Sequence, residues 1–389
     1  MSVQDEKNLD QKLIKVAEII TRAKEGAKIP EEIVEILRIT VGEDNAEFLR
    51  AFEEKSSLTM KELKENLKKL DLELSEEEIL SKVKILADNG VMMDQPTEDG
   101  LMIYRILPFG RIFDYLFMRD IDVEDEKIKE LARLQHNLHE KRRENVQTNY
   151  DDLKSSIDKV MPFDRTILSS NVNQATGEEI QIIIDKTIES PEDMILPTQT
   201  VQEIIEKYDD IAVGRCYCRN HAKVLGNPCR QTDIKESCFT FGKSARHTVK
   251  HGFARLISKE EALDILGKIR DDGLVHKVMH LRGNPELRED AICNCCTDCC
   301  PQGGGFMIRP TANYTNYLAQ INTELCVGCG ICVEKCHQLI IELNGDGVAE
   351  RDKERCIGCG VCAYFCPENA ISMIKTPLRI VRIMPTQYN

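Results

Sequence analysis

The stretch LCVGCGICVEKCHQLIIEL, residues 325–343, is answered by RCIGCGVCAYFCPENAISM, residues 355–373. Both halves carry the order CxxCxxCxxxC, so one supersecondary unit is used twice. Spacings this short wrap three thiolates around one cubane and send the fourth across to the other. They predict one [4Fe-4S] set of Cys326, Cys329, Cys332 and Cys366, and a second of Cys356, Cys359, Cys362 and Cys336. The glycines in CVGCG and CIGCG let backbone without a side chain pass close to a cluster and aim N–H groups at its sulfurs. Two zinc sites built from CxxC pairs would not need the three-plus-one spacing twice.

Tandem motifs of this kind resemble the bacterial-type ferredoxins with two [4Fe-4S] clusters. The resemblance implies a ferredoxin fold over residues 321–376 and single-electron transfer. Pro367 follows Cys366, as that pattern expects, whereas His337 follows Cys336. An exposed histidine in a slightly atypical half is the expectation there.

Nine further cysteines lie upstream. Cys216, Cys218, Cys229 and Cys238, in GRCYCRNHAKVLGNPCRQTDIKESC, could enclose one more [4Fe-4S] cluster, with Arg215, Arg219 and Arg230 offsetting its charge. Zinc is the alternative, with His221 able to replace a cysteine. Cys293, Cys295, Cys296, Cys299 and Cys300 crowd into ICNCCTDCC. Thiolates so close repel one another without metal, so three or four are expected to bind a further cluster. His276 and His280, on one strand face, could complete such a shell or be ordinary strand residues. The run from RCYCR through ISKEEALDILGKIRDDGLVH to ICNCC resembles large ferredoxin-domain proteins of anaerobic bacteria and archaea, in which a helical or winged N-terminal part precedes a cysteine-rich middle. That resemblance implies electron transfer and names no substrate.

Apolar residues at helical spacing predict helices over 8–25 and 31–39. Ser57 or Thr59 can cap a helix through Leu67, Ser75 caps another from Glu76, and Asn89-Gly90 ends it before a turn at 97–100 and the strand LMIYRIL. That order resembles a winged-helix domain over about 30–107. Its would-be recognition helix holds Glu76, Glu77, Glu78 and Asp88 against Lys82 and Lys84, which suits phosphates badly. Residues 123–149 read as an amphipathic connecting helix on which His136 and His139 are packing or solvated residues. Beyond Tyr150 come the strand EIQIIID, the capped helix PTQTVQEIIEKY, the strand IAVGR delivering Cys216, a helix capped by Ser258 with Glu261, and the strand GLVHKVMH. The GGG at 303–305 is a turn lacking the Lys of a phosphate loop.

The expected fold class is multidomain α+β: a helical, winged-helix-like domain at 1–110, connecting helices at 111–150, a cysteine-rich α+β iron–sulfur domain at 151–310, the ferredoxin domain at 321–376 and a tail at 377–389. With 389 residues, several cores are expected. The net charge of -14 argues against nucleic acid and suits docking to a basic partner. The N-terminus lacks a signal-peptide pattern and no apolar run reaches about 18 residues, so the chain reads as cytoplasmic, without membrane insertion, and suited to an anaerobe. The functional expectation is a multi-cluster relay passing single electrons between a soluble donor and a partner oxidoreductase. A redox-sensing regulator using the winged domain, and an oxidoreductase with an open cluster at 293–300, are the alternatives. No acid–base pair, nucleophile arrangement or dinucleotide fingerprint identifies a stand-alone enzyme.

Overall fold

A computed structural model describes the chain apart from residues 1–2, 25–27, 98, 186–199, 281–282, 304–306 and 389, and the side chains of 3–10. Two compact units result, one of residues 1–139 with 223–227 and 246–255, the other of 140–222, 228–245 and 256–389.

In the first unit, α1 (Val3–Thr21), α2 (Glu31–Thr40) and α3 (Glu43–Leu49) bury Leu13, Val16, Ile36, Leu37, Phe48 and Leu49. The end of the helix expected over 8–25 falls at Thr21, and residue 25 lies outside the described residues. Then follow β1 (Ser57–Thr59), α4 (Met60–Lys69), α5 (Glu76–Asp88), β2 (Met92–Pro96) and β3 (Met102–Ile106), with the strands antiparallel in the order β1-β3-β2. Reciprocal capping fixes where both helices start. Thr59 Oγ1 accepts from Glu62 N at 3.3 Å while Thr59 N donates to the Glu62 carboxylate at 2.8 Å. Ser75 and Glu78 do the same at 3.3 and 2.7 Å. Helix α6 (Gly110–Met118) buries nearly its whole apolar face, and α7 (Glu126–Thr148), whose residues from Glu140 on belong to the second unit, is the amphipathic helix expected over 123–149.

The second unit contains α8 (Tyr150–Ser155), β4 (Asp164–Thr166), β5 (Ile182–Ile184), α9 (Val201–Lys207), β6 (Ile211–Arg215), α10 (Tyr217–Val224), β7 (Glu236–Phe241), α11 (Gly242–Lys250), β8 (Arg255–Ile257) and α12 (Lys259–Asp271). The ends of α10, α11 and β8 that fall within 223–227 and 246–255 belong to the first unit. The chain continues through β9 (Val275–His280), β10 (Glu289–Cys295), β11 (Thr311–Ile321), α13 (Ile331–Lys335), β12 (Ile341–Leu343), β13 (Ala349–Arg351), α14 (Val361–Tyr364) and β14 (Ile371–Ile383). Thr200 and Ser258 cap α9 and α12 through the N–H groups of Glu203 and Glu261; residues 197–199 of the expected helix PTQTVQEIIEKY lie outside the described residues.

Among the described residues the large sheet has nine strands, ordered β5-β14-β11-β4-β9-β10-β7-β6-β8. It crosses the boundary drawn at 310–321. Strand β11 pairs with β14 from Thr311↔Ile383 to Ile321↔Ile371, and also lies parallel to β4, which pairs with β9. The cysteine-rich and ferredoxin segments therefore share one sheet. Residues 377–383, expected as part of a tail, complete β14. Pro377, with no N–H for the ladder, falls where the register shifts between Thr315 and Tyr317. On the cysteine-rich side, Ile204, Ile205, Val213, Phe239, Phe241, Leu266 and Ile292 form a continuous core.

Candidate functional site

Short local turns place the cysteines of the repeat. In each half the chain passes through glycines at positive φ and then enters a helix of only four or five residues, α13 or α14. A Cβ on Gly328 would lie 2.1 Å from Gly347 O, and one on Gly358 would lie 2.1 Å from Tyr317 O. With φ at +69° and +65°, these two turns accept glycine alone.

The eight thiols sort into two pockets. Cys326, Cys329, Cys332 and Cys366 line one, with Val327, Ile331, Leu343 and Ile371. Cys336, Cys356, Cys359 and Cys362 line the other, with Ile340, Ile341 and Val361. Each pocket thus receives three thiols from one half of the repeat and one from the other. Burial pushes the Cys332 thiol up to about 11 and the Cys359 thiol up to about 12. Bare thiolates would be costly here, and bound iron would supply the missing positive charge. Ala349 N–H lies 3.5 Å from Cys326 Sγ and Ala370 N–H 3.3 Å from Cys366 Sγ, donors of the kind that favour electron-rich sulfur. Four soft donors in a dry pocket fit a [4Fe-4S] cluster, whose chemistry is the reversible gain of one electron.

The upstream cysteines do not group as they follow one another in sequence. Strands β7 and β10 pair antiparallel through Ile292↔Phe239, which puts Cys293 against Cys238. The β6–β7 pairing, with Gly214↔Cys238, brings Cys216 to the same place. Sulfur contacts then run from Cys216 to Cys218 and Cys238, from Cys218 to Cys300, and from Cys300 to Cys295. Six thiols thus form one connected group. Cys229 is drawn away from it because its loop is tied to the 296–299 turn. Arg230 pairs with Asp298 at 2.6 Å, and Thr297 N donates to Gln231 Oε1 at 2.8 Å. Cys229, Cys296 and Cys299 consequently form a second group with all sulfurs within 4.8 Å. Cys229 Sγ lies 3.8 Å from Cys296 Sγ, and Cys299 N–H lies 3.2 Å from Cys296 Sγ. These long-range pairings place Cys229, from the run 216–238, with Cys296 and Cys299 of the run 293–300.

Buried cations accompany the sulfurs. Of the three arginines, Arg219 alone is buried; it lies near Cys216, Cys296, Cys238 and Cys229 and donates to Ser237. Lys277, on β9, is buried 3.7 Å from Asp164 and close to Cys293, Cys295 and Cys300. Sequence reading missed Lys277, since a lysine in an apolar strand has no local signal of its partners.

His337 differs from expectation. His337 is buried, 2% exposed, rather than lying on the surface. It lines the pocket of Cys336, Cys356, Cys359 and Cys362 while also lying near Cys296 and Cys300. Burial lowers it to about 4, so it is neutral; its Nδ1 is 2.9 Å from Gln338 Nε2, and its ring lies against the backbone of Cys296. The turn at 303 encloses the ring, since a Cβ on Gly303 would lie 2.9 Å from His337 Nε2; residues 304–305 of the expected GGG turn lie outside the described residues. His276 Nδ1 is 2.6 Å from Asn294 Oδ1, and burial lowers the ring to about 4. His280 Nδ1 is 2.8 Å from Leu287 O. His221 is buried on α10, and His139 on α7.

Residues 319–373 match the family described as "4Fe-4S dicluster domain". This segment is therefore a 4Fe-4S dicluster domain. A "Probable ferredoxin" of Methanosarcina thermophila is 47% identical over 36 residues, which is 9% of this chain and 62% of that protein. The match thus spans less than two thirds of that relative. No solved structure matches the chain, and among the described residues no helix is long and apolar enough to cross a membrane.

Proposed function

We propose that the chain is a multi-cluster electron carrier in which the ferredoxin pair extends a metal relay running through the cysteine-rich segment. The observation that carries this reading is His337, which lines the second ferredoxin pocket and lies beside Cys296 and Cys300. Cys326, Cys329, Cys332 and Cys366 would hold one [4Fe-4S] cluster, and Cys336, Cys356, Cys359 and Cys362 the other. Cys216, Cys218, Cys238, Cys293, Cys295 and Cys300 offer ligands for a third centre, and Cys229, Cys296 and Cys299 for a fourth. Exposed Cys329 marks the edge at which a partner oxidoreductase would exchange electrons. Iron and acid-labile sulfide on chain purified without oxygen should exceed about eight atoms each and approach sixteen, at four irons per cubane. About eight, with zinc making up the rest, would reduce the middle centres to a structural scaffold.

A second reading has a specific observation behind it. Cys229, Cys296 and Cys299 bring their sulfurs within 4.8 Å of one another, with Asp298 Oδ2 3.8 Å from Cys299 Sγ. A cluster held by three thiolates keeps one iron open to a small ligand, as an oxidoreductase would need.

For the first unit, the order α3, β1, α4, α5, β2, β3 supports a winged-helix reading, and its charges favour docking to protein over DNA. Lys82 donates to Asp44 O at 2.8 Å and Lys84 pairs with Asp88 at 2.6 Å, so neither cation of α5 is spare. The chain is expected to leave heparin below about 0.1 M salt. Retention to several times that concentration would restore the regulator reading. A reduced cytoplasm without oxygen suits thiolate-held clusters of this number.

A further inference from the structure

The first unit holds a group of donors that has nothing to do with cysteine. His247 lies on the last turn of α11 and His251 just beyond it, four residues on. The helical spacing continues across them, since His251 N donates to His247 O at 3.1 Å, so both rings stand on one face with centroids 4.7 Å apart. Asp94, on β2, faces them: its Oδ1 is 2.9 Å from His251 Nε2 and 4.0 Å from His247 Nδ1. The three donor atoms fall within 4.8 Å of one another. A tetrahedral zinc ion with bonds of about 2 Å holds its ligands about 3.3 Å apart, so small side-chain rotations close the site.

Two features go beyond the proximity of acids and histidines. The His247 side chain is fully buried, and neither of its ring nitrogens has a hydrogen-bond partner. Tyr115 and Phe253 wall it in, with ring centroids 5.4 and 6.0 Å away. A buried imidazole with both nitrogens unused is costly unless something binds it. The second feature is the arrangement around His251. Its Nδ1 is 2.7 Å from Asp88 Oδ1, so a carboxylate stands behind the ring while Nε2 points at Asp94. This carboxylate–histidine order orients an imidazole toward metal and raises its basicity. The outer oxygens of both carboxylates are already held, Asp88 Oδ2 by Lys84 and Asp94 Oδ2 by Lys250, each at 2.6 Å. Both Oδ1 atoms are thereby aimed inward.

We infer that Asp94, His247 and His251 bind one divalent transition-metal ion, zinc in preference to ferrous iron, with Asp88 positioning His251 and a fourth coordination place left for water or a partner's ligand. Two imidazoles and a carboxylate are a nitrogen–oxygen set suited to zinc, which stands above ferrous iron in intrinsic affinity. On binding, His251 Nε2 gives its proton to solvent and Asp94 Oδ1 changes from hydrogen-bond acceptor to ligand. The site shares no residue with the sulfur pockets, so it does not depend on their reading.

The test uses the full chain, prepared without oxygen with its iron retained, then exposed to zinc chloride and desalted. Wild type is expected to keep one zinc that shows nitrogen and oxygen but no sulfur neighbours by X-ray absorption at the zinc edge. His247→Gln and Asp94→Asn should each lose at least nine-tenths of that zinc with iron per chain unchanged. Asp88→Asn should keep the ion but release it to a chelator at 10- to 100-fold lower concentration. Unchanged iron together with an unchanged circular dichroism melt shows that both units of a variant have folded. If His247→Gln loses iron as well, the isosteric Asp94→Asn decides. Zinc with sulfur neighbours, zinc unaffected by both variants, iron falling by one in place of zinc, or no zinc in wild type would each overturn the assignment and leave an Asp88–His251–Asp94 ion-pair network alone.

Discussion

Removing Cys336 and Cys359 together is expected to cost no more iron than removing either one, whereas removing Cys336 and Cys332 together should cost twice as much. Cys336 lines the same pocket as Cys356, Cys359 and Cys362, while its near neighbour in sequence, Cys332, lines the other. Single alanine variants at Cys336 and Cys359 should each lose about four irons per chain, and so should their double variant. Cys332→Ala with Cys336→Ala should lose about eight. Iron counting on anaerobically purified variants reads this directly. The reverse result, about four irons lost from the 332/336 pair and about eight from the 336/359 pair, would mean that each half of the repeat holds its own cluster. Crossing has a stability consequence as well, because each cluster then closes a loop that includes the other half, and neither half is complete alone.

Gly358→Ala is expected to destabilise the protein by about 3–5 kcal/mol, among the largest effects of a single methyl group. The added Cβ would stand 2.1 Å from Tyr317 O and 2.6 Å from Thr315 Oγ1, at a φ of +65°. Tyr317 belongs to β11, which pairs with β14 on both sides of the shift between Thr315 and Tyr317, so that carbonyl cannot retreat without disturbing the sheet. Gly345→Ala provides the control, since nothing lies within 4 Å of its Cβ position. It should change stability by less than about 0.5 kcal/mol. Thermal unfolding followed by circular dichroism separates the two, and equal melting temperatures would show that the cluster loop yields where the geometry says it cannot.

The sulfur positions invite a comparison between what is near in sequence and what is near in space. CxxCxxC is a local device: three ligands within seven residues are placed by one turn and the start of a short helix, so spacing alone reports them. Cys366 was legible for the same reason once the repeat was seen. The helix starts at Thr59, Ser75, Thr200 and Ser258 were equally legible, because a cap and its partner stand three residues apart. In the cysteine-rich segment the same logic misleads. Cys229 is closer in sequence to Cys238 than to Cys296, yet Arg230–Asp298 and Gln231–Thr297 tie its loop to the later turn.

By itself, the sequence determined a repeat of two CxxCxxCxxxC motifs in the segment that matches a 4Fe-4S dicluster domain, a helical N-terminal part and a middle rich in thiols. Ligand spacing and capping act over a few residues, and such signals survive in one dimension. Tertiary structure alone decided that β11 and β14 join the ferredoxin segment to the cysteine-rich sheet, that His337 is enclosed between two sulfur groups, and that Asp94 meets His247 and His251. Those outcomes depend on strand pairing and packing between residues tens to more than a hundred positions apart, where the identity of each residue says nothing about its partner until the backbone brings them together.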